Sequence, residues 1–267
     1  MLSVVPMLAH RVLGEGPRSV LFVHGLFGRG TDLEPFANTL LEGRARALVP
    51  DLLAHGESPQ LPPNASLSSM ADAIVALLDH LGIAQRLPVV AHSMGGRIVL
   101  RLHDMYPDRL GPFVLLDTPA GSISERRSPL SPFLRALAAA PETAATRAEL
   151  LAPFEQVMMG DLLRTWVRSR VVETSEGMGW NFDRQALIDY RNNTLSEELW
   201  PVVSQLGADA LSVFAPKASV YLRREERTRY AECGIQVQSV AGAGHDLYNG
   251  LSRDALERIR ALIGPRS

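Results

Sequence analysis

At 267 residues, 46% of them hydrophobic and 21% charged, the chain can bury a sizeable core and has no disordered character. A formal net charge of −2 with both signs interspersed leaves no basic footprint for nucleic acid; the single Cys233 cannot close an internal disulfide, and no Cys/His cluster has zinc-site spacing. No apolar run approaches the roughly 20 residues of a membrane span, and Met1-Leu2-Ser3-Val4-Val5-Pro6 lacks the positive region and apolar core of a signal peptide, so a cytoplasmic protein is expected.

Residues 1–13 mix apolar and polar positions and break at Gly14-Glu15-Gly16-Pro17, which predicts one or two antiparallel edge strands. Residues 19–24 are a near-continuous apolar run ending at Gly25, the pattern of a strand buried on both faces. Thr31 and Asp32 offer an N-cap for a helix over about 33–42, stopped at Gly43. A strand over 45–49 closes at Pro50-Asp51, and 52–65 is loop. Met70, Ile74, Leu77, Leu78 and Leu81 stand at helical spacing, so 67–81 is a helix ended by Gly82. Residues 87–92 read as a short buried strand that turns sharply at Ser93 into a helix reaching about Met105. Residues 112–117 are another buried strand, ending on the carboxylate of Asp117.

From there the rhythm changes. Residues 118–200 contain no convincing strand, only helical stretches broken by Pro119, Pro129, Pro132, Pro141, Pro153, Gly160 and Gly177-Met178-Gly179. They predict a helical cap inserted into a core made of 1–117 and 201–267. The alternation then resumes with a strand over 211–215, a charged helix over 221–231, a strand over 235–240, the Gly-rich 241–244, and an amphipathic helix over 251–263. Strand and helix alternating through short loops mean a parallel sheet with helices on both faces.

In such a sheet chemistry gathers at the carboxyl ends of the strands. His24-Gly25, Ser93, Asp117 and His245 each fall at or just past the end of a different strand. Around Ser93 the spacing is small-x-Ser-x-Gly, with Ala91 and Gly95 in the small positions that a tight strand-to-helix turn demands. A Ser hydroxyl needs a neighbouring imidazole to take its proton, and His245, on its Gly-rich loop, is the best base. His10, His80 and His103 sit in plain surface or helix contexts, while His24, His55 and His92 read as loop-fixing or structural.

His24-Gly25-Leu26-Phe27-Gly28, Asp51-Leu52-Leu53-Ala54-His55-Gly56-Glu57-Ser58, Ala91-His92-Ser93-Met94-Gly95-Gly96 and Gly242-Ala243-Gly244-His245 together resemble the α/β-hydrolases, in the order that family uses. The chain looks most similar to the small hydrolases of acyl esters and thioesters that need no metal or cofactor. The resemblance implies a mostly parallel eight-stranded sheet. It also implies an oxyanion hole made by the backbone N–H groups of Leu26 and Met94, and a triad of Ser93, an acid and His245. The family's usual acid position, after the strand over 211–215, here reads Pro216-Lys217-Ala218-Ser219-Val220-Tyr221 and holds no carboxylate. Glu225 and Glu226 lie inside the next helix, and Asp246 adjoins His245 and reaches its imidazole poorly. Some relatives place the acid at the end of the strand that follows the nucleophile elbow, here the sharp turn at Ser93, and Asp117 is therefore the expected acid; its other reading is a cap for the insertion.

Phe27, Met94, Trp180, Phe182 and Tyr248 are candidates for an apolar acyl pocket, or for pins that hold the cap. Arg126-Arg127 could meet an anionic substrate or simply face water, and Met158-Met159 reads as core filler. The expected partner is a small-molecule acyl ester or thioester, with the protein a monomer or homodimer. Two other readings stay open. One is different chemistry on the same site, such as C–C bond hydrolysis, cofactor-free haloperoxidase or perhydrolase action, or a lyase; the other is a binding module on this scaffold.

Overall fold

The computed structural model describes residues 6–123, 128, 130–157 and 160–264, with only the backbone for 161–162. Arg126-Arg127 and Met158-Met159 lie outside the described residues. In chain order the elements are β1 (His10–Leu13), β2 (Ser19–Val23), α1 (Gly30–Leu41), β3 (Arg46–Pro50), α2 (Leu67–His80), β4 (Leu87–His92), α3 (Met94–Met105) and β5 (Leu110–Leu116). There follow α4 (Ser131–Ala139), β6 (Thr143–Ala144), α5 (Arg147–Leu151), α6 (Asp161–Ser169), β7 (Val171–Thr174), β8 (Gly177–Trp180) and α7 (Arg184–Leu195). The chain closes with α8 (Trp200–Val203), β9 (Leu211–Pro216), α9 (Arg224–Glu232), β10 (Val237–Val240) and α10 (Arg253–Ile263). Two compact units result, one of Met1–Pro59, Leu67–Ser122 and Glu197–Ser267, the other of Gln60–Ser66 and Ile123–Ser196.

The first unit is built on a sheet in the order β1-β3-β2-β4-β5-β9-β10. All pairs are parallel except β1 with β3. Its inner strands are apolar along their length because both faces are covered, and Phe22, Phe36, Val49, Val90, Val114, Phe214 and Ile259 share one continuous core. The register makes the carboxyl ends nearly flush: Val23 pairs with Ala91, His92 with Leu116, Leu116 with Phe214, and Val240 with Pro216. The loops that follow β2, β4, β5, β9 and β10 therefore open at one end of the sheet.

Among the described residues the sheet has seven strands, not the eight expected. Residues 6–9 form no further strand: Pro6 has no N–H to give a ladder, and the Ala9 N–H goes to the Ser58 hydroxyl. Helix α1 begins at Gly30, ahead of the expected 33, with Asp32 inside its first turn accepting from the Arg29 N–H and Asp51 taking the Gly30 N–H. Helix α9 starts at Arg224 because the N–H groups of Tyr221 and Leu222 are already bound to Ser219.

The second unit corrects a sharper expectation, for it is not purely helical. Strands β6, β8 and β7 form a small antiparallel sheet, with Val172 and Thr143 on either side of Gly179. The glycines that read as breakers are strand residues. Gly177 takes φ 117° at the hairpin, a conformation an L side chain resists, and Gly179 lies where a Cβ would meet Thr174 at 2.9 Å. Strands this short leave no alternation to read. Helices α4 and α7 pack in the same unit, where Arg184 donates to the Leu137 and Ala140 carbonyls and pairs with Glu142. Among the described residues no helix is long and apolar enough to cross a membrane.

Where β4 meets α3 the backbones crowd. A Cβ on Gly95 would fall on the His24 carbonyl oxygen and 2.6 Å from that of Val23, and one on Gly96 would strike Thr118. We expect Gly95→Ala to lower stability by about 1–3 kcal/mol through this overpacking, read as a lower urea midpoint. An unchanged midpoint would mean that the turn relaxes freely.

Candidate active site

Ser93 sits alone between β4 and α3, at φ 52° and ψ −118°. Its backbone is held from two sides: its N–H donates to the Leu116 carbonyl, and its carbonyl accepts from the Thr118 hydroxyl at 3.2 Å. A positive φ in a residue with a side chain costs on the order of 1–3 kcal/mol and persists only where the surroundings over-determine it. The result turns the Ser93 side chain out at the strand ends, with the N-terminus of α3 beside it.

His245 follows the Gly-rich turn after β10. Its Nε2 lies 3.0 Å from Ser93 Oγ, and its Nδ1 lies 2.7 Å from Asp117 Oδ2. Asp117 is buried directly after β5, also at a positive φ of 47°, with its N–H bound to the Phe214 carbonyl. The structure thus brings Ser93, Asp117 and His245 into one hydrogen-bonded line. With Asp117 accepting the Nδ1 proton, Nε2 is left to accept from the serine hydroxyl.

The loop after β9, which holds no carboxylate, carries a partner for Asp117. Ser219 Oγ donates to Asp117 Oδ1 at 2.6 Å while accepting the Leu222 N–H at 2.7 Å and the Tyr221 N–H at 3.1 Å. Both acceptor sites of the hydroxyl are filled, so its one proton is aimed at the carboxylate. Sequence reasoning left this role unread. The signal was a serine followed two and three residues later by turn N–H groups, the pattern of a serine turn. Tyr221 was missed as well; its ring lies 4.6 Å from that of His245.

Other candidates take different places. Glu225 is exposed on α9, and Glu226 accepts the Gly121 N–H. Asp246 is exposed and accepts from the Asn249 side chain. His10 contacts the Leu8 carbonyl, His80 ends α2, and His103 packs against Phe113. The His92 ring packs at a tilt against that of His245, centroids 4.6 Å apart, and its Nε2 donates to the His245 carbonyl at 2.9 Å. Burial drives its pKa well below 6.5, helped by the charge of His245, so the ring is neutral.

Leu26 is half-buried in the loop after β2, and Met94 opens α3. Next to Leu26, a Cβ on Gly25 would come 3.1 Å from the Ser93 Cβ, so this loop runs beside the serine. Of the pocket candidates, Phe27 is buried at φ 66°, and Tyr248 packs edge-on against His92, its hydroxyl pushed up to about 12 by burial. Trp180 and Phe182 belong to the second unit. There Trp180 meets Phe154 and donates to the Pro141 carbonyl, while Phe182 meets Trp166. Among the described residues no group of three or more His, Cys, Asp or Glu could hold a metal ion.

Residues 18–203 match the family described as the alpha/beta hydrolase fold. The sn-1-specific diacylglycerol lipase ABHD11 of Mus musculus is 26% identical over 259 residues, spanning 92% of this chain and 80% of that protein. A putative non-heme haloperoxidase of Mycobacterium phage D29 is 33% identical over 102 residues, 38% of this chain and 36% of that one. Among solved structures, a marine microorganism esterase superposes with a TM-score of 0.77 at 20% identity, covering 96% of this chain and 99% of that one.

Burial lowers the pKa of His24, His92 and His103 from 6.5. The unfolded chain takes up protons at these sites first as pH falls, so the stability they contribute is complete above about 6.5 and is lost below it. Glu226, raised by burial, works in the opposite sense. We expect the urea midpoint to fall between pH 7.5 and 5.5; a midpoint that rises would contradict neutral buried imidazoles.

Proposed function

The chain belongs to the α/β-hydrolase family, and we propose that it is a serine hydrolase that cleaves a carboxylic ester or thioester through an acyl-enzyme on Ser93. The observation that carries this reading is the line from Ser93 Oγ through His245 to the buried Asp117, closed at 3.0 and 2.7 Å. It is the arrangement that nucleophilic acyl transfer needs, because it gives a weak hydroxyl nucleophile a base and fixes the tautomer of that base.

In this mechanism His245 Nε2 takes the Ser93 proton as Oγ attacks the acyl carbon. The negative oxygen of the tetrahedral intermediate is met by the N–H groups of Leu26 and Met94, the second of them at the start of α3 where the helix dipole adds to it. Asp117 stabilises the imidazolium. The intermediate collapses as His245 returns the proton to the leaving alkoxide or thiolate. Water, deprotonated by His245, then attacks the acyl-serine, and Ser93 regains its proton. The mouse relative is named as a diacylglycerol lipase, which supports this substrate class. A cytoplasmic location and a monomeric or dimeric state stay part of the reading. The similarity to a putative haloperoxidase keeps a second chemistry in view, in which the same site acts without turning over an acyl ester.

Mixing the protein with p-nitrophenyl butyrate in a stopped-flow instrument should give a burst of nitrophenol stoichiometric with enzyme, abolished in Ser93→Ala. Absence of any turnover, or a Ser93→Ala variant that keeps it while His245→Ala does not, would favour the other chemistry. Among acids, Asp117→Asn should reduce kcat by on the order of 10⁴, and Glu225→Gln should stay near wild type. The reverse order would move the acid to α9. Ser219→Ala should reduce kcat by about 10- to 100-fold, as expected for a hydrogen bond to a charged group worth ~1.5–3 kcal/mol.

A further inference from the structure

The loop after β2 and the loop after β3 are joined by two histidines that the triad does not use. Each imidazole belongs to one loop and serves the other. His24 Nδ1 lies 2.8 Å from the Gly25 carbonyl of its own loop, and its Nε2 accepts the Leu52 N–H at 3.0 Å. His55 Nδ1 lies 2.8 Å from the Leu53 carbonyl of its own loop, and its Nε2 accepts the Phe27 N–H at 3.1 Å. The rings are 5.2 Å apart, and both side chains are buried, at 2% and 0% exposure. A carbonyl on one nitrogen and an N–H on the other leave a single protonation state that satisfies both contacts, the neutral Nδ1–H form.

These bonds act on the two peptide planes either side of Leu26. The Gly25 carbonyl shares a plane with the Leu26 N–H, and in a trans peptide the two point in opposite directions. That carbonyl is held from one side by His24 Nδ1 and by the Gly28 N–H at 3.1 Å. The Leu26 N–H must then face away from them. The next plane is held through the Phe27 N–H by His55, with Phe27 kept at φ 66°. Asp51 also ties the loops by accepting the Gly30 N–H at 2.7 Å and the Glu57 N–H at 2.9 Å.

We propose that His24 and His55 are positioning residues whose exchanged hydrogen bonds aim the Leu26 N–H at the oxyanion. The inference rests on the acyl-transfer reading of Ser93. Neither ring touches substrate; each acts through a peptide plane. An oxyanion donor that is present but misdirected loses the part of its strength that appears only in the transition state, so the effect falls on kcat rather than on KM.

The two nitrogens can be separated by substitution. A glutamine at 55 carries its carbonyl oxygen to the place of Nε2 and can still accept the Phe27 N–H; an asparagine is too short to do so. With p-nitrophenyl butyrate, His55→Gln should hold kcat within about threefold of wild type. His55→Asn should lose about 10- to 100-fold, a fraction of what removing an oxyanion donor outright costs, with KM within twofold. Equal kcat in the two variants, or a loss confined to thermal stability, would overturn the proposal. The unmodified protein supplies a second reading. In ¹⁵N NMR at pH 7.5 both histidines should show an unprotonated Nε2 and a protonated Nδ1, and an Nε2–H signal from either would overturn it. A wild-type protein without an acyl burst would defeat the acyl-transfer reading itself, and the tautomers would still report on the exchanged bonds.

Discussion

The site depends on how tightly β4 turns into α3. Gly95 presses on the carbonyl oxygens of Val23 and His24, Gly96 on Thr118, and Gly25 on Ser93 and His92. With no side chains at these three positions, the end of β2, the elbow and the end of β5 close to backbone distance. Ser93 is then forced to a positive φ, and its side chain has one way to go. The strain is balanced by the flush parallel register, which sets the Leu116 carbonyl against the Ser93 N–H and brings Asp117 to the next strand end.

The same register explains how the acid can stand after β5. Because Leu116 pairs with Phe214, Asp117 and the loop after β9 emerge side by side, and either could present a carboxylate to His245. Here the β5 end holds Asp117 against His245 and the β9 loop holds Ser219, whose proton is aimed at the second oxygen of that carboxylate. Asp117 is fully buried, and a buried carboxylate left with a free oxygen would carry a desolvation cost. The serine is what the position after β9 contributes in place of the charge.

Much of this was legible in the residues. Continuous apolar runs gave the strands, glycines and prolines closed them, and Ser93, Asp117 and His245 each stood at a strand end, where the structure draws them within hydrogen-bond reach. The absence of a carboxylate in 216–221 pointed to Asp117. What stayed illegible has a physical cause in each case. Strands β6, β7 and β8 run two to four residues and include Gly177 and Gly179, so neither period nor propensity marks them. The hydrogen bond from Ser219 to Asp117 spans 102 positions in the chain and depends on a turn whose N–H groups occupy the hydroxyl. Trp180 and Phe182 read as pocket or pin with equal ease, because a sequence shows that an aromatic is present and not which rings it meets. The exchange between His24 and His55 links residues 28 positions apart through backbone groups, which leave no trace in side-chain identity.

In the proposed mechanism Ser93 is made nucleophilic by His245 under the hold of Asp117. The most direct measurement is the second-order rate at which a fluorophosphonate modifies the protein, with the modified residue located by peptide mass spectrometry. Modification is expected at Ser93 alone, slowed by at least about a hundredfold in Asp117→Asn, a part of the full loss that a missing triad acid brings. Modification at another residue, or at Ser93 with an undiminished rate in Asp117→Asn, would contradict it.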